Sequence, residues 1–163
     1  MIRSARADDV PVLVSFVREL AAYEKAESEV ELDEARLHEI LFGPSPKAFC
    51  LVATEDDSEE PVGFAVWFVT FSTWLGRHGI YLEDLYVREQ HRRGGHGRAL
   101  LAALAQICVE RGYGRLEWAV LDWNAPAIAF YEALGATAQD EWTVHRLTGA
   151  ALATLGSGPT APR

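Results

Sequence analysis

Residues 88–98 hold Arg88, Arg92, Arg93 and Arg98 against one acid, Glu89, and interleave them with Gly94, Gly95 and Gly97. Closely spaced glycines let backbone N–H groups turn toward one point, and a following helix N-terminus adds partial positive charge. Arginines on the same loop, with His96 among them, add charge-assisted hydrogen bonds. The combination suits a phosphate-bearing ligand, although an ordinary flexible turn uses the same glycines. A few residues upstream, Glu83 and Asp84 interrupt the otherwise apolar residues 80–87. Acids there attract an ammonium group, and partial burial lifts a carboxylate toward a pKa at which it can take up a proton. Successive strand residues face opposite sides, but a bulge can bring both acids toward one cleft. The alternative is a solvent-facing pair on an edge strand. Tyr131 follows Phe130 on a short helical segment, where it is either a core aromatic or a phenol able to donate a proton.

Other chemistries fail on spacing. A Walker loop needs Gly-Lys-Ser/Thr, and Gly97 is followed by Arg98 and Ala99. A dinucleotide fingerprint needs G-x-G-x-x-G straight after the strand, and after Gly95 and Gly97 the third glycine is missing here. The five histidines form no ligand set, so no metal is expected. No G-x-S-x-G elbow is present. Cys50 and Cys108 each lie in apolar stretches and read as buried, reduced thiols.

Positioning these residues requires a mixed α/β order. Asp8 and Asp9 can cap a first helix carrying Val10, Leu13, Val14, Val17, Leu20 and Ala21 at helical spacing. A second helix starts near Asp33 and stops at Gly43-Pro44. Residues 49–54 and 62–71 read as a hairpin about an acidic turn, and residues 79–87 as a further strand. The Gly-rich loop leads into a helix over 97–111, then a strand over 116–121. Asn124 caps a short helix with Pro126 in its first turn, and residues 142–147 make a final strand. The chain of 163 residues, 49% apolar and 24% charged, is sized for one domain over 1–155, with a disordered tail over 156–163. Net charge is −9, and all of that excess is matched by residues 1–60 alone, with 15 acids against 6 bases. An acidic body disfavours nucleic acid and anionic membrane and favours a cationic substrate. The ten-residue apolar run at 62–71 is too short to span a bilayer, and no secretory signal is read at the N-terminus, so a cytoplasmic location is expected.

The pattern Arg92-x-x-Gly95-x-Gly97 after a strand resembles the pyrophosphate loop of the GNAT superfamily of N-acetyltransferases. The resemblance extends upstream to Tyr81-Leu-Glu-Asp-Leu-Tyr-Val87 and downstream to Asp122-Trp-Asn-Ala-Pro-Ala-Ile-Ala-Phe-Tyr-Glu-Ala-Leu-Gly135. Glu19-Leu-Ala-Ala-Tyr-Glu24 and Ser72-Thr-Trp-Leu-Gly-Arg77 are similar to the spermidine/spermine (diamine) acetyltransferase branch, with Ser72 on the thialysine side of it. The resemblance implies a GNAT fold, a mostly antiparallel sheet flanked by helices and splayed where acetyl-CoA binds. It implies a cofactor site of Leu85, Tyr86, Val87, Arg92, Arg93, Gly94, Gly95, His96, Gly97, Arg98, Asn124, Pro126, Ala127 and Tyr131. Glu83 becomes the base, through water, and Tyr131 the acid that protonates the leaving thiolate. Tyr23, Glu24, Trp74, Glu83, Asp84, Glu117, Trp118 and Ala119 become the lining for a small cationic amine, thialysine- or lysine-like or a polyamine, acetylated directly in a ternary complex. A homodimer is implied as well. A peptide N-acetyltransferase and a silent acetyl-CoA binder are the competing readings.

Overall fold

The computed structural model describes residues 1–158, which form two compact units, 1–119 and 120–158. The first unit is built on a five-stranded sheet in sequential order: β1 (Ile2–Ser4), β2 (Phe49–Thr54), β3 (Pro61–Ser72), β4 (Arg77–Val87) and β5 (Leu116–Glu117). The first three pairings are antiparallel and the last, β4 with β5, is parallel. The parallel pair requires a crossover, and α3 (His96–Glu110) supplies it. Helices α1 (Val10–Glu24) and α2 (Glu34–Phe42) precede the hairpin, as helical spacing predicts.

Side-chain alternation sorts the sheet into two faces. Val10, Leu13, Val14 and Phe16 of α1 and Leu37 and Leu41 of α2 pack with Cys50, Val52, Phe64 and Tyr86 in one buried cluster. Phe16 stacks on Phe64 with centroids 5.5 Å apart and tilts against Tyr86 at 5.9 Å. On the other face α3 buries Leu100, Leu101, Leu104 and Cys108. A fully buried side chain of this size contributes about 1.5–3 kcal/mol, so the two layers fix where β4 runs.

Several expectations need correction. Asp9 does not cap α1 with its side chain; its carboxylate instead takes the Arg6 backbone N–H and the Arg3 guanidinium. Asp33 does cap α2, accepting from the Arg36 N–H at 2.8 Å. Strand β1 went unread because three residues, Ile2, Arg3 and Ser4, become a strand only through pairing with Leu51, Val52 and Ala53. The strand expected over 116–121 is paired only at Leu116 and Glu117. There β4 and β5 approach so closely that a Cβ on Gly79 would lie 2.9 Å from the Arg115 carbonyl oxygen.

The second unit carries α4 (Ala125–Glu132) and α5 (Gly149–Gly156). Residues 142–147, expected as a strand, run as irregular and exposed chain. Their unit offers no strand among its described residues for them to pair with, and an unpaired strand leaves its ladder unsatisfied. Of the tail expected from Gly156, that residue closes α5, and residues 159–163 lie outside the described residues.

Candidate functional site

The pairing of β3 with β4 slips by one residue: Val66 faces Asp84, but the next residue, Trp67, faces Leu82. Glu83 is the extra residue of a β-bulge, so the side-chain alternation of β4 reverses across it. Leu82 shares the α3 face with Trp67, whose ring lies 5.7 Å from the Arg111 guanidinium at the end of α3. Asp84 and Tyr86 lie on the α1 face with Val66 and Phe64. Alternation from Leu82 puts Glu83 on that same side. The bulge thus does what a regular strand cannot, placing adjacent acids on one face.

The two acids are not equivalent. Glu83 is exposed and Asp84 half-buried. Burial, then the charge of Glu83, then that of Glu24 push the Asp84 carboxyl up to about 6. Glu24 itself is raised by burial. Three carboxylates therefore share one neighbourhood where the end of α1 meets the bulge. Repulsion among them is relieved by proton uptake or by a cation. At the bulge's own residues β4 is paired on one side only, with β3, so the acids do lie on an edge stretch of the sheet. On the other side β5 accompanies only Ile80 and Tyr81, so the splay leaves Leu85, Tyr86 and Val87 beyond it.

Gly95, at φ 83°, caps the N-terminus of α3 and has no side chain with which to satisfy the first-turn N–H groups. Those of His96, Gly97 and Arg98 therefore lack a side-chain cap, the arrangement that a phosphate seat expected from the loop's sequence would need. The four-arginine count overstates the charge available. Arg88 is held by Glu19 Oε1 at 3.2 Å and by Ser15 Oγ at 3.3 Å, and lies 4.8 Å over the Phe16 ring. Arg92 donates from Nε to the Val87 carbonyl at 2.9 Å. Arg93 and Arg98 are exposed. Glu55 Oε1 lies 2.7 Å from His91 Nδ1 and 3.4 Å from His96 Nε2, which tethers the loop to the β2–β3 turn and lowers the Glu55 pKa. A cavity of about 390 Å³ opens here, with Glu55 and Asp56 on one wall and Gly94, Gly95 and His96 on the other.

Two residues that sequence reasoning left out of the site, Glu19 and Glu55, thus set the loop's surroundings. Glu19 stands within the Glu19–Glu24 segment, four residues before Tyr23, which is one helical turn. Glu55 sits in an acidic turn that carries no local signal for a histidine 36 residues away.

The remaining residues divide by position. Tyr23 and Glu24 end α1. Glu117 stands opposite Tyr81 and is paired with Arg115 at 2.7 Å; Trp118 and Ala119 follow it. Trp74, 86% exposed, sits in the β3–β4 turn, and the six residue steps from Arg77 to Glu83 put it roughly 20 Å along β4 from the acids. The chain does not bring it to them. Ser72 is buried, its hydroxyl accepting from the Leu75 N–H at 3.3 Å, so it shapes that turn. In the second unit Asn124 Oδ1 caps α4 through the Ala127 N–H at 3.3 Å, with Pro126 in the first turn. Tyr131 lies on α4 with its ring 5.3 Å from that of Phe130.

Residues 14–136 match the family described as acetyltransferase (GNAT) family. The chain is 37% identical over 164 residues to a thialysine N-epsilon-acetyltransferase of Bos taurus, covering 95% of this chain and 96% of that protein. It is 48% identical over 90 residues to an L-ornithine N5-acetyltransferase of Arabidopsis thaliana, 55% of this chain and 40% of the relative. Among solved structures, an integron cassette protein from the mobile metagenome of V. cholerae matches with a TM-score of 0.79 at 26% identity, over 97% of this chain and 98% of that one.

Proposed function

The chain belongs to the GNAT acetyltransferase family and is an acetyl-CoA-dependent N-acetyltransferase, and from that premise we propose that its acceptor is the terminal primary amine of a small cationic molecule. The class comprises thialysine- and ornithine-like amino acids and polyamines, the first two being the acceptors in its relatives' names. The observation that carries this reading is the cluster of Glu24, Glu83 and Asp84 around the β4 bulge.

The residues present fit the cofactor. The backbone of Leu85, Tyr86 and Val87 beyond the splay can hold an extended arm as an added strand does, and the uncapped N-terminus of α3 with Arg93 and Arg98 can hold phosphates. When bound, acetyl-CoA supplies a thioester carbon open to attack by a neutral amine.

An alkylammonium is about three pH units from losing its proton at neutrality, so the chain must draw the cation in and then take that proton. Glu24, Glu83 and Asp84 supply the attraction. Asp84, at about 6, is ionised at pH 7 yet far less reluctant than an ordinary aspartate to accept a proton. Glu83, at the mouth of the bulge, relays it through water. Tyr131 keeps the role its segment implies and donates a proton to the leaving sulfur. Direct transfer is supported by the thiols: both cysteines are buried, and burial pushes Cys50 up to about 12, which leaves no ready nucleophile there. The reading includes a homodimer, supported by the exposed Trp123, Trp142 and Val144 of the second unit.

The test is thiol release from acetyl-CoA against thialysine, ornithine, lysine, spermidine, spermine and an N-terminal peptide. Turnover confined to the small amines is expected. Turnover of the peptide alone, or tight acetyl-CoA binding without turnover, overturns the assignment in favour of a peptide acetyltransferase or a silent binder respectively.

A further inference from the structure

Arg92 opens the cofactor loop, yet most of its contacts are to other elements. Its Nε donates to the Val87 carbonyl, the last residue of β4, at 2.9 Å. Its guanidinium lies 5.3 Å from the centroid of Tyr23, at the end of α1, and 5.6 Å from that of Tyr86. Tyr86 in turn donates from its hydroxyl to Glu19 Oε2 at 2.9 Å, and Arg88 holds the other oxygen of that carboxylate. Loop, strand and helix therefore meet at one side chain. The backbone on both flanks is held in the left-handed region that β-carbon-bearing residues avoid: Arg93 at φ 67° beside Arg92, and Lys25 at φ 61° directly after Tyr23 and Glu24.

We propose that Arg92 is a positioning residue that fixes the Tyr23–Glu24 end of α1 to the cofactor loop, so that filling the cofactor site orders the amine site. The chemistry of guanidinium permits this double duty. It meets aromatic rings through its flat face and hydrogen-bond acceptors through its edge, so a phosphate reached in plane adds to the stacking instead of replacing it. An ammonium group would supply the charge without the flat face or the Nε donor. The joint then acts on Glu24, whose charge also reaches Asp84. This inference rests on the amine-site reading only for the role given to Tyr23 and Glu24.

The test compares the whole protein with Arg92→Lys. Amide hydrogen exchange over residues 21–26 is followed with and without saturating CoA, whose affinity for each protein is measured by calorimetry. In the unsubstituted chain CoA slows exchange there by about tenfold, in the usual range for coupling between sites. In Arg92→Lys, CoA still binds but the slowing is lost, and the amine KM at saturating acetyl-CoA rises by about tenfold while kcat changes little. Tyr23→Leu, which removes a ring from the other side of the joint, abolishes the slowing too, so the proposal does not depend on one variant folding. Exchange over 21–26 that ignores CoA in the unsubstituted chain overturns it. So does an Arg92→Lys protein whose only defect is weaker CoA binding. If CoA-dependent slowing appears and Arg92→Lys removes it while no small amine is acetylated, the joint stands and the amine assignment falls.

Discussion

Asp9, at the start of α1, receives two hydrogen bonds from the Arg3 guanidinium, at 2.7 and 2.9 Å, and one from the Arg6 backbone N–H at 2.7 Å. Asp84, on the bulge of β4, has the charges of Glu83 and Glu24 for company. Burial pushes both carboxyls upward. At Asp9 the Arg3 and Arg6 contacts outweigh it and the pKa falls below the ordinary aspartate range. At Asp84 like charges add to it and the pKa climbs to about 6. The same side chain at the rim of the same core is a structural tie in one place and, in the proposed mechanism, a proton acceptor in the other. Burial is the larger cause at Asp84, and the neighbours decide whether it is reinforced, as there, or overcome, as at Asp9. A satisfied carboxylate holds the fold together; one kept among acids is held in readiness for a cation.

That contrast can be broken from either side. Asp84→Asn keeps the shape and removes the acidity. It is expected to lower kcat/KM for the best amine by about 10²–10³-fold, in the range of general-base losses, while the melting temperature stays level or rises. A folded variant with near-normal kcat/KM would assign the proton to Glu83 alone. Asp9→Ala should do the reverse. Leaving the Arg3 guanidinium buried without its partner costs about 2–3 kcal/mol in urea unfolding, with the activity per folded molecule retained. A loss under about 0.5 kcal/mol would mean that the acceptors Arg3 already has besides Asp9, the Glu59 carbonyl at 3.0 Å and the Ser4 carbonyl at 3.1 Å, suffice for it.

The smallest effect, and the sharpest, is the pH dependence of stability. Asp9 binds its proton less readily folded than unfolded. Its contribution is therefore whole above about pH 4 and is lost as pH falls through its lower folded value. Asp84 binds its proton more readily when folded. Its contribution is whole below about pH 4 and is lost as pH rises through 6. Urea midpoints measured from pH 3 to 8 should fall on both sides of a maximum between these limits. Asp84→Asn should flatten the limb between pH 4 and 6, and Asp9→Ala the limb below pH 4. If both variants kept both limbs, the two carboxyls would not be the groups that titrate.

The β2–β3 hairpin, α3 and the Gly-rich loop are legible in the sequence because alternation, helical spacing and glycine clustering are short-range signals. The acids at 83 and 84 are legible as an anomaly in an apolar strand, but their inequality is not. It depends on a register slip against Val66 and Trp67 and on Glu24, some 60 residues earlier. Arg88 misleads for the same reason, since its partner Glu19 lies 69 positions away. Strand β1 is too short to announce itself without β2. Residues 142–147 err in the other direction, with strand-like alternation and no neighbouring strand among the described residues of their unit to realise it.

The extra residue in β4 also bears on how the chain can change. A substitution at Glu83 alters a side chain but leaves the extra residue in place, and it is the extra residue that lets two adjacent positions share one face while the partners on either side of it keep theirs. Removing Glu83 would give β3 and β4 an unbroken ladder in which Asp84 still stands opposite Val66 and Tyr86 opposite Phe64, so both keep the α1 face and only the second, adjacent acid is lost from it. The bulge is thus an insertion that the rest of the sheet tolerates: its loss would cost the pairing of two adjacent acids and leave the register on both sides of it intact.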